Sequence, residues 1–336
     1  MSDRPDRFLA FVDYLGTRDL YRDPRENAGR IEDRRYELEH GVQIRLQRLL
    51  AEQKIELGVF SDTVLIAGRD IQDVLVGAAS LLDFVFRKNL QRSDPGDFRL
   101  LRGGVAKGVE LRSSYLRPSR SVSIIPFFDG SLAFAYETEG LRRGSRVFLS
   151  DELRASDLGD LSRFLFAWEH MPGFGRPAGR VEELLWPALI SRDQPRELLD
   201  MLAQSMTLWR SFVTTLQPQP DTYRETLYHF DETLKCMIRS CVAFREPGQV
   251  KDAAEALSDL LPSDSDSMDD CNIRYVWGIW FQVILVICRL GMDQEYAGPI
   301  SSTLDVLRER KYLDKFIAET DYPDYAAMRH LFGEAA

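Results

Sequence analysis

Two short runs of β-branched and apolar residues, separated by only two residues, constrain this chain more than any other feature. The runs are Ile55–Phe60 and Thr63–Ala67, with Ser61 and Asp62 between them. A two-residue connection between such runs is typical of a tight β-hairpin. The sequence therefore predicts a hairpin that carries an acidic side chain at its tip.

A second acid follows another predicted strand. The apolar run Arg7–Val12 ends at Asp13, and the chain then turns at Gly16. If this strand pairs beside the hairpin, Asp13 and Asp62 reach the same edge of one sheet, where their oxygens suit a hard metal such as Mg²⁺. Asp is also a favoured turn residue, so a structural role for each acid is the alternative interpretation.

The other segments of the first half alternate between predicted helix and strand. The apolar spacing of Asp70–Asn89 predicts an amphipathic helix, whereas we expect the charges between Arg18 and Arg35 to be solvated surface. The order βαββαββαβ indicates an α+β fold of the split βαβ type, with helices on one face of the sheet. The further predicted elements are strands at Phe98–Leu111, Val122–Phe128 and Arg146–Leu149 and a helix at Ser131–Leu141.

The second half of the chain has a different character. Residues between Leu153 and Trp186 predict short helical and looped pieces that are rich in Pro and Gly. Beyond Pro187 the sequence predicts helices, so we expect two domains, 5–187 and 188–336. The predicted helices are Arg196–Leu216, Thr222–Phe244, Val250–Leu261, Ile273–Gly291, Pro299–Ile317 and Ala326–Phe332.

Charge and composition exclude several classes of function. The net charge of −10 gives no general electrostatic footprint for nucleic acid or for an anionic membrane. The longest apolar run, Tyr275–Cys288, is shorter than a membrane span. The four cysteines match no zinc or redox spacing, and the first residues lack the apolar segment of a signal peptide. We therefore expect a cytoplasmic protein that binds small molecules or proteins.

Four segments, taken in order, resemble the catalytic domain of class III nucleotidyl cyclases. They are FLAFVDYLG, GVFSDTVLIAG, LRGGVAKG and DGSLAFAYETE, and the resemblance covers roughly Arg7–Pro187. The FSD tripeptide and the AYxxE segment are more narrowly similar to the bacterial pyrimidine cyclases of Pycsar anti-phage systems. The resemblance implies a ferredoxin-like palm, here followed by an all-α C-terminal region, and a homodimer with active sites at its interface.

The resemblance also implies roles for individual residues. Asp13, Asp62 and the carbonyl of Tyr14 would bind two Mg²⁺ or Mn²⁺ ions. Backbone amides after the first strand would hold the triphosphate, a placement that suits anions at the start of a helix. The nucleotide-binding residues are Tyr14, Leu15, Gly16, Thr17, Phe60, Ser61 and Lys107, and the catalytic residues are Asp13, Asp62 and Arg102.

The sequence departs from the purine cyclases at the positions that recognise base and phosphate. Gly58 stands where they carry a base-selecting Lys, and Phe134 and Thr138 stand where they carry an Asn and an Arg. These differences favour a pyrimidine base. Stabilising the leaving pyrophosphate requires cations, and the candidates are Arg102, Lys107, Arg142 and Arg143, of which Arg102 lies on a core strand. Tyr136 and Glu139 share a helix face and are candidates for contact with the base or the dimer partner.

The sequence therefore predicts a metal-dependent cyclase that converts UTP to 3′,5′-cyclic UMP and pyrophosphate as an anti-phage signal, read by a separate cyclic-nucleotide-sensing effector. UTP is preferred because no acid is evidently placed to accept the amino group of cytosine. The alternatives are a cytidylate cyclase, a purine cyclase with altered base contacts, and a cyclase-like module that binds nucleotide or a partner without turnover.

Overall fold

One mixed β-sheet organises the first half of the chain in the computed structural model. The structure describes residues 6–16, 22–60, 62–92, 97–111, 127–128, 135, 144–150, 153, 155–168, 181–215, 221–262, 270–320 and 323–332. The strands are β1 (Asp6–Tyr14), β2 (Ile55–Phe60), β3 (Thr63–Gly68), β4 (Leu101–Leu111), β5 (Phe127–Phe128), β6 (Val147–Leu149), β7 (Leu165–Trp168) and β8 (Val181–Leu184).

The strand order of this sheet is β2-β3-β1-β4-β6-β8-β7, and β5 pairs with β4. The central strand β1 pairs antiparallel with both β3 and β4, and β4 pairs parallel with β6. The first four strands, joined in the order βαββαβ, thus form the ferredoxin-like arrangement. The expected α+β palm is confirmed.

Helices fill the connections of the palm and the whole described region after β8. The α-helices are α1 (Ala28–Ala51), α2 (Ile71–Asn89), α3 (Ala155–Leu158), α4 (Trp186–Ile190), α5 (Pro195–Thr215), α6 (Asp221–Ser240), α7 (Pro247–Ser258), α8 (Asp270–Arg289), α9 (Ala297–Glu309) and α10 (Leu313–Thr320). Segments of 3₁₀ helix cover Gly159–Phe164, Cys241–Ala243 and Pro323–Phe332. The C-terminal region is helical, as expected.

The palm strands separate two sets of side chains. Alternate residues of β1, such as Val12 and Tyr14, belong to the large core cluster that includes Leu75 of α2. The intervening residues, among them Leu9, pack in a small cluster with Leu65. Successive side chains of a strand point to opposite faces. We call the face of β1, β3 and β4 that carries Leu9 and Leu65 the second face of the palm, and the other its helix face.

Several predicted boundaries were wrong for identifiable reasons. The segment predicted as helical and looped pieces contains β7 and β8, whose four-residue length hides their periodicity. Strand β4 begins at Leu101 and not at the predicted Phe98, because the side chain of Asn89 takes both backbone hydrogen bonds of Arg99. The Asn89 amide donates to the Arg99 carbonyl at 2.6 Å, and its oxygen accepts from the Arg99 N–H at 3.0 Å. One predicted helix, Pro299–Ile317, is two, with Lys311 at a φ of 61° between them.

Two predicted elements of the first half lie largely outside the described residues. The predicted helix Ser131–Leu141 lies outside the described residues except for Ala135, and only Phe127–Phe128 of the predicted strand Val122–Phe128 is described. Most of the apolar run in α8 is buried core, including Ile279 and all residues from Val283 to Ile287. Among the described helices, none combines the length and apolar character of a membrane span.

A buried ionic network joins the far strands of the sheet to the C-terminal helices. Glu183 on β8 accepts two hydrogen bonds from Arg146, at 2.6 and 2.5 Å, and one from Trp168 at 2.9 Å. Arg239 on α6 donates to Glu183 at 3.2 Å and to Gln282 on α8 at 3.0 Å. One apolar core cluster also continues across residue 187. The predicted domain boundary at 187–188 stays a prediction.

We expect Glu183→Ala to destabilise the protein by about 3–5 kcal/mol, because Arg146 and Arg239 stay buried and lose this carboxylate, with Glu232 still paired to Arg146 at 3.0 Å. Burial alone would raise the pKa of Glu183, but Arg146 and Arg239 outweigh it and hold that pKa at about 2. The loss should therefore be complete at neutral pH and shrink as the pH falls from about 4.5 towards 2. Urea unfolding at several pH values measures it.

The control is Glu39→Gln, which removes an exposed ion pair with Arg35 on α1. We expect this change to cost less than about 1 kcal/mol. Equal losses for the two variants would contradict the assigned role of Glu183.

Candidate active site

The pairing of β1 with its two neighbours brings the predicted site residues to one edge of the palm. Asp13 lies opposite Thr63 of β3 and opposite Arg102 of β4. Asp62 directly precedes Thr63, and its carbonyl accepts a hydrogen bond from the Tyr14 N–H at 3.4 Å. The structure therefore brings Asp13, Asp62 and Arg102 together. Asp13 is on the second face, since it alternates with Val12 and Tyr14 of the helix face.

Thr63 is a site residue that sequence reasoning missed. Its hydroxyl donates a 2.8 Å hydrogen bond to Oδ1 of Asp13. This contact helps to fix the orientation of the carboxylate. The sequence feature that could have indicated this role is the position of Thr63 directly after Asp62. There its hydroxyl lies opposite the end of β1.

The electrostatics of Asp13 are unusual for a surface-edge acid. The pKa of Asp13 is raised to about 6, chiefly by burial, and the charge of Asp62 contributes to this rise. The hydrogen bond from Thr63, the charge of Arg102 and the Tyr14 N–H act in the opposite direction. A carboxylate that is desolvated beside a second acid gains from a nearby cation.

These residues fit a divalent metal. The described part of the chain contains no group of three or more His, Cys, Asp and Glu side chains that could hold an ion. Two carboxylates with backbone oxygens and water nevertheless suit Mg²⁺ or Mn²⁺, because Mg²⁺ keeps several waters and binds few protein ligands. Asp13 and Asp62 are the residues that would hold it, with the Tyr14 carbonyl as the predicted third ligand.

The turn after β1 is held from two sides. The Leu15 N–H donates to the Leu100 carbonyl at 2.8 Å, and the Leu15 carbonyl accepts a 3.5 Å hydrogen bond from Arg34 of α1. Gly16 has a φ of 71°, a left-handed conformation that Gly adopts without strain. The predicted phosphate-binding backbone at Leu15 and Gly16 is therefore held by contacts from α1 and from Leu100, the residue before β4.

Arg34 is an exception to the expectation that the charges between Arg18 and Arg35 are solvated surface, and Glu37 just beyond this segment is also buried. Arg34 and Glu37 are both buried. Glu37 accepts from Arg92 at 2.9 Å and from Arg99 at 2.7 Å. Burial and the charge of Arg99 lower the pKa of Arg34 to about 10. The sequence did not predict the burial of these two residues, because charged side chains are normally exposed.

The structure does not bring Lys107 to this edge. Lys107 lies five positions beyond Arg102 on β4, on the helix face, which is roughly 17 Å along a strand. There it forms a 3.1 Å ion pair with Asp157 and lies over the ring of Phe8. The paired Lys107 thus faces a different part of the molecule from Asp13.

Two further residues that the sequence singled out, Gly58 and Phe60, lie on β2. The backbone of Phe60 pairs with that of Thr63 across the hairpin. Gly58 lies opposite Leu65 on the second face. The first glycine of the Gly103-Gly104 pair is required by close packing of the backbone. A Cβ at Gly103 would lie 3.0 Å from the Phe11 carbonyl oxygen. The candidates outside the described residues are Thr17, Ser61, Phe134, Tyr136, Thr138, Glu139, Arg142 and Arg143.

A cavity of about 550 Å³ lies at the opposite end of the palm from Asp13. Its lining is of mixed charge and includes Arg7, Lys54, Glu56 and Asp73. It contains none of the predicted site residues.

Comparisons with known proteins find similarity only at the level of structure. No family model and no curated protein matches the sequence. Among solved structures, the chain is similar to an adenylate cyclase of Trypanosoma brucei in its monomeric state, at 15% identity and a TM-score of 0.34 over 53% of this chain and 87% of that one.

Two further structures are similar over the same share of the chain. The guanylyl cyclase Cya2 matches at 13% identity and a TM-score of 0.38 over 54% of this chain and 91% of its own. The adenylyl cyclase CyaB from P. aeruginosa matches at 11% identity and a TM-score of 0.35 over 54% of this chain and 94% of its own. With scores and identities this low, the residues of the site must carry any inference about activity.

We expect Asp13→Asn to stabilise the metal-free protein at pH 7.5 by about 1–3 kcal/mol, because ionising a desolvated carboxylate opposes folding. The folded pKa of about 6 lies above the usual value of 3.8, so the wild-type protein loses stability as the pH rises through this interval. Asn keeps an acceptor for Thr63. The gain should therefore vanish near pH 4.

Urea unfolding at pH 4 and pH 7.5 in EDTA measures this gain, with Asp193→Asn as control because the Asp193 side chain is 89% exposed. A stability difference that does not depend on pH would contradict the assigned environment of Asp13.

Proposed function

We propose that this protein is a pyrimidine nucleotide cyclase that converts UTP to 3′,5′-cyclic UMP and pyrophosphate. The observation that carries the proposal is the meeting of Asp13, Asp62 and Arg102 at one edge of a ferredoxin-like sheet. The same three residues belong to the sequence segments that resemble class III cyclases. A nucleotide cyclase uses two acids and a cation in this way.

Each residue has a chemical task in the proposed reaction. Asp13 and Asp62 would hold divalent ions, with Asp13 oriented by Thr63. Such ions would supply Lewis acidity at the ribose 3′-hydroxyl and at the phosphates. Arg102, which lies opposite Asp13, supplies positive charge for the pentavalent α-phosphorus and the departing pyrophosphate. The backbone of Leu15 and Gly16 orients the triphosphate.

The preference for a pyrimidine rests on what the second face lacks. Gly58 lies opposite Leu65 there, so neither of these positions supplies the charged donor by which a purine would be selected. A uracil carbonyl requires a hydrogen-bond donor where the amino group of cytosine requires an acceptor. Among the described residues, only Asp13 and Asp62 are candidate acids at this edge of the sheet, and both are proposed metal ligands. No further acid is therefore proposed to accept the amino group of cytosine, which favours UTP over CTP.

The wider setting of the proposal follows from the same resemblance. The active form would be a homodimer with its sites at the interface, acting in the cytoplasm as a source of an anti-phage signal. A separate effector that senses the cyclic nucleotide would act downstream. The helical residues 188–336 would form a domain that supports the dimer or senses infection.

The decisive experiment incubates the purified protein with each of the four nucleoside triphosphates and Mn²⁺ and separates the products by mass. We expect cyclic UMP from UTP, and we expect Asp13→Ala and Asp62→Ala to reduce the rate by at least about 10³-fold, since both acids hold the metal. Asp73→Asn is the matched control, because this acid lies on α2 near the opposite end of the palm.

A cyclic product from CTP alone would identify CTP, and not UTP, as the substrate. A cyclic product from a purine nucleotide would overturn the pyrimidine assignment. No product from any nucleotide, together with Mn²⁺ binding that is indifferent to Asp62→Ala, would leave the binding-module alternative. Phe134 and Thr138, which carry no charge for a phosphate, favour that alternative.

We expect Thr63→Val to shift the acidic limb of the rate profile to higher pH. The hydroxyl lowers the pKa of Asp13 by stabilising its charged form, so its loss raises that pKa and delays ionisation. Thr63→Ser keeps the donor and should behave as the wild-type protein does. Rates measured between pH 5 and 9 test this, and superimposable profiles for the Val and Ser variants would contradict it.

A further inference from the structure

Arg34 is a buried arginine beside the turn after β1, and the described residues offer few partners for its charge. The side chain of Arg34 is 8% exposed in the folded chain. Its one hydrogen bond to another described residue is the 3.5 Å contact from Nη1 to the Leu15 carbonyl, at the outer limit for such a bond. A guanidinium carries five N–H donors in a planar fork.

No carboxylate neutralises Arg34 within the part of the chain that the structure describes. Its other close contact is with the Tyr14 ring, whose centroid lies 5.7 Å from the guanidinium carbon. The charge of Asp62 acts on Arg34 from a distance, without forming an ion pair between them. Burying a charge without a partner is costly, so such a group is retained where an anion completes it.

The surroundings of Arg34 add positive charge. Arg92 and Arg99 share one buried carboxylate, Glu37, through the same oxygen. Asp33 is 3.7 Å from Arg99, but its side chain is 71% exposed. Two arginines therefore share one buried carboxylate, and the positive charge of Arg99 also acts on Arg34.

We propose that Arg34 binds the terminal phosphates of a nucleoside triphosphate, with Arg99 contributing long-range attraction. The inference rests on the proposed function for the identity of the ligand, and it names a residue for which the sequence segments gave no role. The planar fork of Arg34 suits phosphate oxygens. Its contact with the Leu15 carbonyl places it at the turn whose backbone would orient the same triphosphate.

This placement accounts for how one substrate could be held from both faces of the palm. Asp13 approaches from the second face, whereas Arg34 reaches the same strand end from α1 on the helix side. A triphosphate lying across the strand end meets acids and metal at one end and a guanidinium at the other. Positive charge at the terminal phosphates also stabilises pyrophosphate as it leaves.

The test measures binding of sodium tripolyphosphate by calorimetry in metal-free buffer, for the full chain. We expect Arg34→Gln to weaken binding by about tenfold or more, the effect of losing a charge-assisted hydrogen bond. Arg35→Gln, an adjacent exposed arginine whose partner is Glu39, should bind as the wild-type protein does. Added salt should weaken wild-type binding.

Hydrogen exchange on the unmodified protein gives a second measurement that does not depend on a variant folding. Tripolyphosphate should protect amides of the Leu15–Gly16 turn and of the α1 turn containing Arg34, and leave those of α9 unchanged. Absence of binding by the wild-type protein, unaltered binding by Arg34→Gln, or protection confined to other segments would overturn the proposal.

The outcomes separate this proposal from the proposed activity. Arg34-dependent binding of tripolyphosphate without any cyclic product would refute the cyclase and keep the phosphate site. A cyclic product, with tripolyphosphate binding that ignores Arg34, would refute the phosphate site and keep the cyclase.

Discussion

The register of β1 between β3 and β4 is the constraint on which the site depends. Shifting β1 by one residue would move Asp13 to the helix face, where Val12 and Tyr14 now pack, and would place an apolar side chain opposite Arg102. The apolar residues on both faces therefore hold the acid in place. Because those residues are buried on two sides, the register is strongly specified and the site gains its geometry from core packing.

Asp13 illustrates the cost of such a site. The strand end that orients its carboxylate also removes it from water, and burial raises its pKa towards neutrality. The charge of Asp62 adds to this effect, so ionised Asp13 destabilises the folded chain unless a cation lies nearby. A structural turn acid would not require this arrangement, since it could satisfy its oxygens with backbone amides in solvent. The cost is more readily understood if the pair binds metal.

The palm was largely predictable from sequence, because apolar periodicity and a two-residue hairpin are local signals. The elements that escaped prediction depend on distant partners. Strands β7 and β8 are only four residues each, and Glu183 on β8 is buried through contacts with Arg146 and Arg239 that sequence does not reveal. Arg34 escaped for the same reason. Its neighbours in the chain are charged and exposed, and only the fold places it against Leu15.

The two buried ionic clusters differ in a way that bears on function. Around Glu183, a central carboxylate accepts from Arg146, Arg239 and Trp168, so positive and negative groups complete one another in a structural joint. Beneath the β1 turn, the contacts of Arg34 with described residues are those with a carbonyl and an aromatic ring. A structural role predicts the first pattern and not the second, since an isolated buried guanidinium stabilises nothing by itself. The incomplete cluster is therefore where an anionic ligand has most to contribute.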